Sequence, residues 1–324
     1  MKKNILYGLV IGTALSLSAC DGDKVDNVDF EVSIANDVND IHVGDDVTFM
    51  FQGNADYLSF YSGDQGNNYE NRDRTTVELN SLELSTSIKQ QYTDLEYRNQ
   101  EMIFAYVSVD FKDDYSITGI KNATWTKISG QEFNQIRVPL TKDTPNETVS
   151  SNINLSLYKD KEFYVAFQYN APKRNKVPEK DGSGRYVVAP RIDVNPCVLK
   201  KETSDGQVVK MGNTASEWAF NIVYENSAKK GTYLVNDAGL LFQPQKGKEH
   251  TDKDVIVWMV SQKICPSAVE PDRGTPIKTI EAKLPSHTYV YHAPGIYTAT
   301  FIATNANMWN SKQVIKNIQF EVKP

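Results

Sequence analysis

The chain has 324 residues, a formal net charge of −6, and a composition that is 40% hydrophobic and 10% aromatic. This length holds two domains at the usual 100–200 residues each, and the mildly acidic balance excludes a nucleic-acid binder, which needs a basic face. The count of Tyr 17, Phe 13 and Trp 4, with abundant Val, Ile, Thr, Asn and Asp, favours strands and turns, and few stretches keep a 3.6-residue apolar period for three turns. The pattern predicts an all-β fold.

The first element reads as an address. Lys2 and Lys3 precede an apolar run over 5–17, broken only by small residues, and then Ser18-Ala19-Cys20. A positive head, a short apolar stretch and small residues before a cut make a secretory signal. The run is too short for a spanning helix, which needs about 20 apolar residues. Leu17-Ser18-Ala19-Cys20 resembles the bacterial lipobox, whose cysteine is acylated and becomes the first residue of the mature chain. The resemblance implies a signal peptide over 1–19, lipidation at Cys20, and membrane attachment through that lipid anchor alone. Losing Lys2 and Lys3 with the signal takes the formal net charge from −6 to −8. Residues 20–28, acidic and poor in packing side chains, read as a tether. Acidic residues behind the lipid cysteine resemble a surface-export signal in some Gram-negative lineages, and Asp at that place resembles an inner-membrane retention signal in others.

Segments 30–34, 47–51 and 57–61 then alternate apolar and polar residues, punctuated by Val43-Gly44-Asp45-Asp46 and Ser62-Gly63-Asp64-Gln65-Gly66. Short strands at this spacing predict a β-sandwich. Further strands are predicted over 77–88, 101–110, 136–140, 153–157, 163–169, 186–194, 218–224, 240–242 and 255–260. Residues 171–185, rich in Pro, Gly and Lys, read as a mobile surface loop. The chain closes with strands at 287–291, 296–305 and 318–322, the first two separated by Ala293-Pro294-Gly295. Besides Cys20 there are Cys197 and Cys265, each beside a proline. In an oxidising compartment they pair, or they remain two buried free thiols.

The closing Tyr289-Val290-Tyr291, Ala293-Pro294-Gly295 and Tyr297-Thr298-Ala299-Thr300 pattern resembles the last strands of a PKD-type immunoglobulin-like domain, and Val43-Gly44-Asp45-Asp46-Val47-Thr48-Phe49 resembles its opening. The resemblance implies one sandwich split between 29–74 and 276–324, with a second domain inserted over 75–275. The alternative is three domains in a row. In the inserted part, Val107-Ser108-Val109-Asp110-Phe111, Ala123-Thr124-Trp125-Thr126 and Tyr164-Val165-Ala166-Phe167-Gln168-Tyr169 resemble a jelly-roll β-sandwich module of exported proteins. With Phe60-Tyr61-Ser62-Gly63, Pro271-Asp272-Arg273-Gly274 and Thr304-Asn305, nearly the whole chain is similar to one family of PKD-containing outer-membrane lipoproteins of polysaccharide utilisation loci, mostly filed as domains of unknown function. That family implies an outer-membrane protein facing the cell exterior, binding polysaccharide or oligosaccharide beside an outer-membrane importer complex. It carries over no binding residues.

Catalytic signatures are absent from the sequence. No Gly-x-Ser-x-Gly elbow, P-loop or Cys-x-x-Cys pair occurs, and His42, His250, His287 and His292 show no metal-binding spacing. We therefore expect no catalytic residue, no cofactor and no assignable metal ligand. Jelly-roll carbohydrate modules often hold a structural Ca²⁺, but the Asp- and Asn-rich turns form no ordered ligand series. Sugar binding needs an exposed aromatic plane with polar neighbours. Trp258 lies in a continuous apolar run and Trp125 at a jelly-roll framework position, so both read as core. Trp218, behind a polar stretch, reads either way and is the second candidate sugar platform. Trp309, in Asn305-Ala306-Asn307-Met308-Trp309-Asn310-Ser311-Lys312, reads either as a sugar platform flanked by Asn307 and Asn310 or as a loop tip packed on its own domain. A polysaccharide-binding lipoprotein, an interaction lipoprotein (importer partner or adhesin) and a glycosidase are the three function classes left standing, in that order.

Overall fold

Where apolar and polar residues alternate, a strand turns one face to an apolar layer and the other to water. The computed structural model describes residues 24–93, 95–140, 146–173, 176–178, 184–186, 189–212, 214–215, 217–225, 231–244 and 254–324, and over these the protein is all-β. The expected signal peptide and Cys20 lie outside the described residues.

In chain order, β1 (Phe30–Ile34), β2 (Asp46–Gly53) and β3 (Tyr57–Tyr61) come first. Next are β4 (Leu79–Gln91), β5 (Ile103–Ser108), the helix α1 (Ile117–Asn122), β6 (Thr126–Lys127), β7 (Ser129–Gly130), β8 (Ile136–Arg137) and β9 (Glu147–Asn154). They are followed by β10 (Tyr164–Ala171), β11 (Lys176–Pro178), β12 (Gly184–Tyr186), β13 (Arg191–Val194), β14 (Val198–Thr203) and β15 (Val208–Met211). Then come β16 (Asn221–Tyr224), β17 (Thr232–Asn236), β18 (Gly239–Gln243) and β19 (Val255–Val260). The last four are β20 (Thr275–Lys278), β21 (Ser286–Val290), β22 (Gly295–Ala306) and β23 (Ser311–Val322). The chain divides into two units, one made of residues up to Arg74 together with Glu270–Pro324, the other of Thr75–Val269.

The first unit is a β-sandwich of the sheets β1-β2-β21 and β20-β3-β22-β23. Its ladders join the two ends of the chain: Val47 pairs with Tyr289, and Phe60 with Phe301. Side chains from both sheets meet in one aromatic core. The Phe301 ring lies 5.1 Å from Phe49, 5.1 Å from Phe60 and 5.3 Å from Phe51. Buried Tyr291 donates its hydroxyl to Ser62 O at 2.8 Å, and Tyr289 donates to Asp64 Oδ2 at 2.6 Å. Strand β21 and the residue just after it, Tyr291, thus lock the Gly63-Asp64 turn that follows β3.

Part of the expected tether belongs to this sandwich. Val25 is buried, and the backbone of Asp29 runs so close to Gly53, which has φ +121°, that a Cβ there would fall 1.9 Å from Asp29 O. Asn54 fastens the segment by accepting from Asp29 N at 2.8 Å and donating to Asn27 O at 3.0 Å. Within the expected tether, Val25 is buried and Val28 packs against the core, while Lys24, Asp26 and Asn27 stay exposed.

The second unit is also a β-sandwich. One sheet runs β16-β19-β10-β5-β6, the other β15-β14-β4-β13-β18-β17. The long strand β4 carries β14 and β13 end to end on one edge and β9 on the other. Leu82, Leu84 and Ile88 of β4 meet Ile103 and Ala105 of β5, Phe167 and Tyr169 of β10, and Val257 and Met259 of β19 in one core. The outer face of the five-stranded sheet has its own apolar cover, in which Phe111, Ile120, Tyr164 and Trp258 pack with half-buried Trp125. The outer face of the other sheet is polar.

Several local expectations are corrected. The predicted strand 153–157 ends at Asn154 and continues as a 3-10 turn, Ser156–Tyr158. The expected loop over 171–185 contains β11, which pairs with β12 as a two-stranded ribbon. Strand β14 escaped prediction because Lys201 occupies an inward position. There its ammonium donates to Pro266 O at 2.8 Å and Ala268 O at 2.6 Å, and burial lowers its pKa.

Candidate functional site

The candidate residues at the end of the chain lie on one hairpin tip. Strands β22 and β23, twelve residues each, pair from Gly295↔Val322 to Ala306↔Ser311, leaving Asn307, Met308, Trp309 and Asn310 as the turn. Asn307 Oδ1 accepts from the backbone N–H of Trp309 at 2.9 Å and of Asn310 at 2.8 Å, and Asn307 N donates to Asn310 O at 3.0 Å. This is an Asx turn, in which the side chain does for the backbone what a ladder does elsewhere. Asn307 Nδ2 donates to Lys24 O at 3.4 Å. Trp309 is 69% exposed and Met308 88%. The turn is held by Asn307, and Trp309 stands out from it.

Trp218 is a different case and corrects the reading of it as a second sugar platform. It lies in a turn before β16, is only 3% exposed, and stacks on Phe220 at 5.8 Å. Its indole N–H donates to Cys197 O at 2.7 Å and to Gly212 O at 3.2 Å. Gly212 has φ +77°, and a Cβ there would fall 1.8 Å from Trp218 Nε1. Gly212 N donates to Glu217 Oε2 at 2.9 Å, which brings the chain over the indole, so the ring is core.

The two thiols are free. Cys197 is buried, and desolvation pushes its thiol up to about 12. Cys265 is exposed, which corrects the picture of two buried thiols, and its thiol donates to Glu162 Oε1 at 3.4 Å. Among the described residues no group of three or more His, Cys, Asp or Glu is placed to hold a metal ion. His287 packs edge-on against Phe60 at 4.8 Å, and burial lowers its pKa.

The polar outer face of the second sandwich carries a cleft of about 560 Å³ between β9, the start of β4's outward row and the 131–137 loop. Strand β9 is an edge strand on β4, with Asn154 opposite Glu83, Asn152 opposite Ser85 and Ser150 opposite Ser87. Two of these outward pairs are bonded: Ser85 Oγ donates to Asn152 Oδ1 at 3.2 Å, and the Ser150 and Ser87 hydroxyls lie 3.1 Å apart. The loop is fixed onto this edge. Asn134, with φ +57°, accepts from Asn154 N at 2.6 Å and donates to Asn154 O at 3.2 Å, mimicking a ladder pair with its side chain. Arg137 N donates to Ser151 Oγ at 2.8 Å, Gln131 Nε2 donates to Val138 O at 3.0 Å, and Gln135 Oε1 accepts from Glu132 N at 3.2 Å. Phe133 lines the cleft from this braced loop and is 99% exposed. The cleft therefore offers an exposed aromatic ring on a braced loop beside carboxamides and hydroxyls.

A second hollow of about 330 Å³ lies along the same sheet face, lined by Lys89 and Gln91 of β4 together with Arg191 and Asp193. Arg191 clamps Asp193, with Nη2 at 2.6 Å from Oδ1 and Nε at 2.9 Å from Oδ2, and this bond raises the Arg191 pKa. Glu83 and Lys89 point the same way on β4, about 20 Å apart at the usual strand rise.

A family model described as a domain of unknown function, DUF5017, matches residues 19–218, more than half of the chain. The chain belongs to the DUF5017 family. No curated protein and no solved structure matches it. The DUF5017 match contains the 560 Å³ cleft whole, whereas the β22–β23 hairpin lies beyond it.

Sequence reasoning passed over Phe133. The signal was present, since Gly130-Gln131-Glu132-Phe133-Asn134-Gln135 sets a large aromatic in a polar loop just as Trp309 is set.

Proposed function

We propose that this DUF5017 protein is a lipid-anchored outer-membrane protein, facing the cell exterior, that holds polysaccharide for an outer-membrane glycan importer without cleaving it. In this reading the split unit is a PKD-type immunoglobulin-like sandwich and the inserted unit a jelly roll. The observation that carries it is the braced, fully exposed Phe133 over the polar cleft. Sugar rings present an apolar C–H face, which an aromatic plane covers at little entropic cost, and carboxamides and hydroxyls read the hydroxyl groups. A large aromatic has no folding reason to stand 99% exposed. The second hollow farther along β4 gives a polymer more than one place to touch. The lipobox-like Leu17-Ser18-Ala19-Cys20 supports the anchor.

The site is tested by Phe133→Ala in affinity electrophoresis against a panel of polysaccharides. Truncating a hot-spot aromatic typically costs at least about 2 kcal/mol, a loss of more than tenfold in affinity. We expect that loss with an unchanged melting temperature, because so exposed a ring contributes little to packing. Unchanged retardation on a glycan that the parent binds removes Phe133 from the site. A parent that binds no glycan in the panel moves the reading to an importer partner or adhesin. Anchoring has its own test: Cys20→Ser should abolish labelled fatty-acid incorporation and release a folded protein. Label persisting in that variant defeats the claim.

A further inference from the structure

We propose that Met308 and Trp309 are a membrane contact, with the tip of the β22–β23 hairpin seated in the headgroup layer of the bilayer that holds the Cys20 lipid. The inference rests on the anchoring reading above. Its first ground is the tip itself. Two large apolar side chains stand together at one turn, 88% and 69% exposed, while Asn307 supplies the bonds that shape the turn.

The second ground is where the chain leaves the sandwich. Residues 24 and 27 lie against the turn end of this same hairpin. Lys312 Nζ donates to Asn27 Oδ1 at 2.8 Å, Asn305 Nδ2 donates to Asn27 O at 3.3 Å, and Asn307 Nδ2 donates to Lys24 O at 3.4 Å. The last of these contacts joins Lys24 to the turn that bears Met308 and Trp309. Cys20 is only four residues before Lys24. Four residues at full extension span about 14 Å. The headgroup layer is roughly 5–8 Å thick on each side of a hydrocarbon core of about 30 Å. A lipid on Cys20 therefore keeps Lys24, whose carbonyl the turn contacts, within about 14 Å of the attachment point, about two headgroup thicknesses.

The third ground is chemical. An indole has an apolar body and one N–H, which suits the boundary between headgroups and acyl chains. Tethering makes the contact intramolecular, so even a weak preference for the interface is well populated. The same geometry counts against a sugar site at the tip, because the carboxamide oxygen of Asn307 already serves the turn.

The experiment uses the full-length lipidated protein in phosphatidylethanolamine/phosphatidylglycerol vesicles with and without bromine on the acyl chains. Trp218 and Trp258 are buried and Trp125 is half-buried, so bromine quenching reports on Trp309. The parent should lose part of its tryptophan emission in brominated vesicles, and Trp309→Phe should abolish that loss while floating with the vesicles and melting like the parent. If the floated parent is unquenched, or Trp309→Phe is quenched as much as the parent, the inference is overturned and the anchor stands. If the parent carries no acyl group and does not float, the anchoring reading falls and takes the inference with it. Loss of glycan retardation in Trp309→Phe, with no quenching in the parent, overturns the membrane contact in favour of a sugar contact.

Discussion

Replacing Phe301 with alanine is expected to lower the stability of the first sandwich by about 3–5 kcal/mol, the usual range for a buried Phe→Ala change. Phe301 sits on the central strand β22, is fully buried, and its ring touches Phe49, Phe51 and Phe60, with Phe30 slightly farther at 6.4 Å. The residues around it come from both sheets and from both ends of the chain, so no single loop can move in to fill the space. What remains is a cavity inside an aromatic cluster. The loss of edge-to-face ring contacts adds to the lost burial, since such pairs are worth about 0.5–1.5 kcal/mol beyond area. With domains marginally stable at about 5–15 kcal/mol, this should lower the melting transition of that unit by about 10 °C or more. Calorimetry with urea titration alongside is the measurement. A shift of a degree or two would mean that the core is not built around this ring.

The second large effect is expected at Trp218. Trp218→Ala removes the largest side chain under the turn at Gly212, and should destabilise the second sandwich by about 3–5 kcal/mol. Two contributions act together. The stacked Phe220 loses its partner, and the carbonyls of Cys197 and Gly212 lose the indole N–H that both accept. A buried acceptor left without a donor costs about 1–3 kcal/mol. Glycan retardation, measured well below the lowered melting point, should be unchanged. Loss of retardation with the melt intact would restore Trp218 as a sugar platform.

The two tryptophans show why a site is harder to read than a fold. Trp218 and Trp309 both follow polar residues in the sequence, yet one is 3% exposed and the other 69%. Around Trp218 a left-handed glycine, bonded through its N–H to Glu217, brings the chain over the ring. Around Trp309 they form a two-strand hairpin turn that closes on itself through Asn307 and leaves the ring outside. Phe133 adds the reverse lesson. Its loop is as polar as that of Trp309, and what makes it a candidate is Asn134 and Arg137 bracing the loop onto β9. Bracing is a relation between residues distant in sequence, and composition is silent about it.

By itself the sequence determined that this protein is all-β, and it marked β1, β3 and β19 residue by residue. It succeeded there because alternation and turn chemistry are local properties, written within five to eight residues. It missed β14, where a buried lysine finds its partners in two backbone carbonyls more than sixty residues away. The tertiary structure alone decided which strands pair, since period-2 patterns fit many registers and carry no partner's address. It joined β3 to β22 across more than two hundred residues and set residues 24 and 27 against the turn end of the last hairpin. It also decided which aromatics meet water. Exposure is set by everything that packs nearby, and most of what packs nearby is far along the chain.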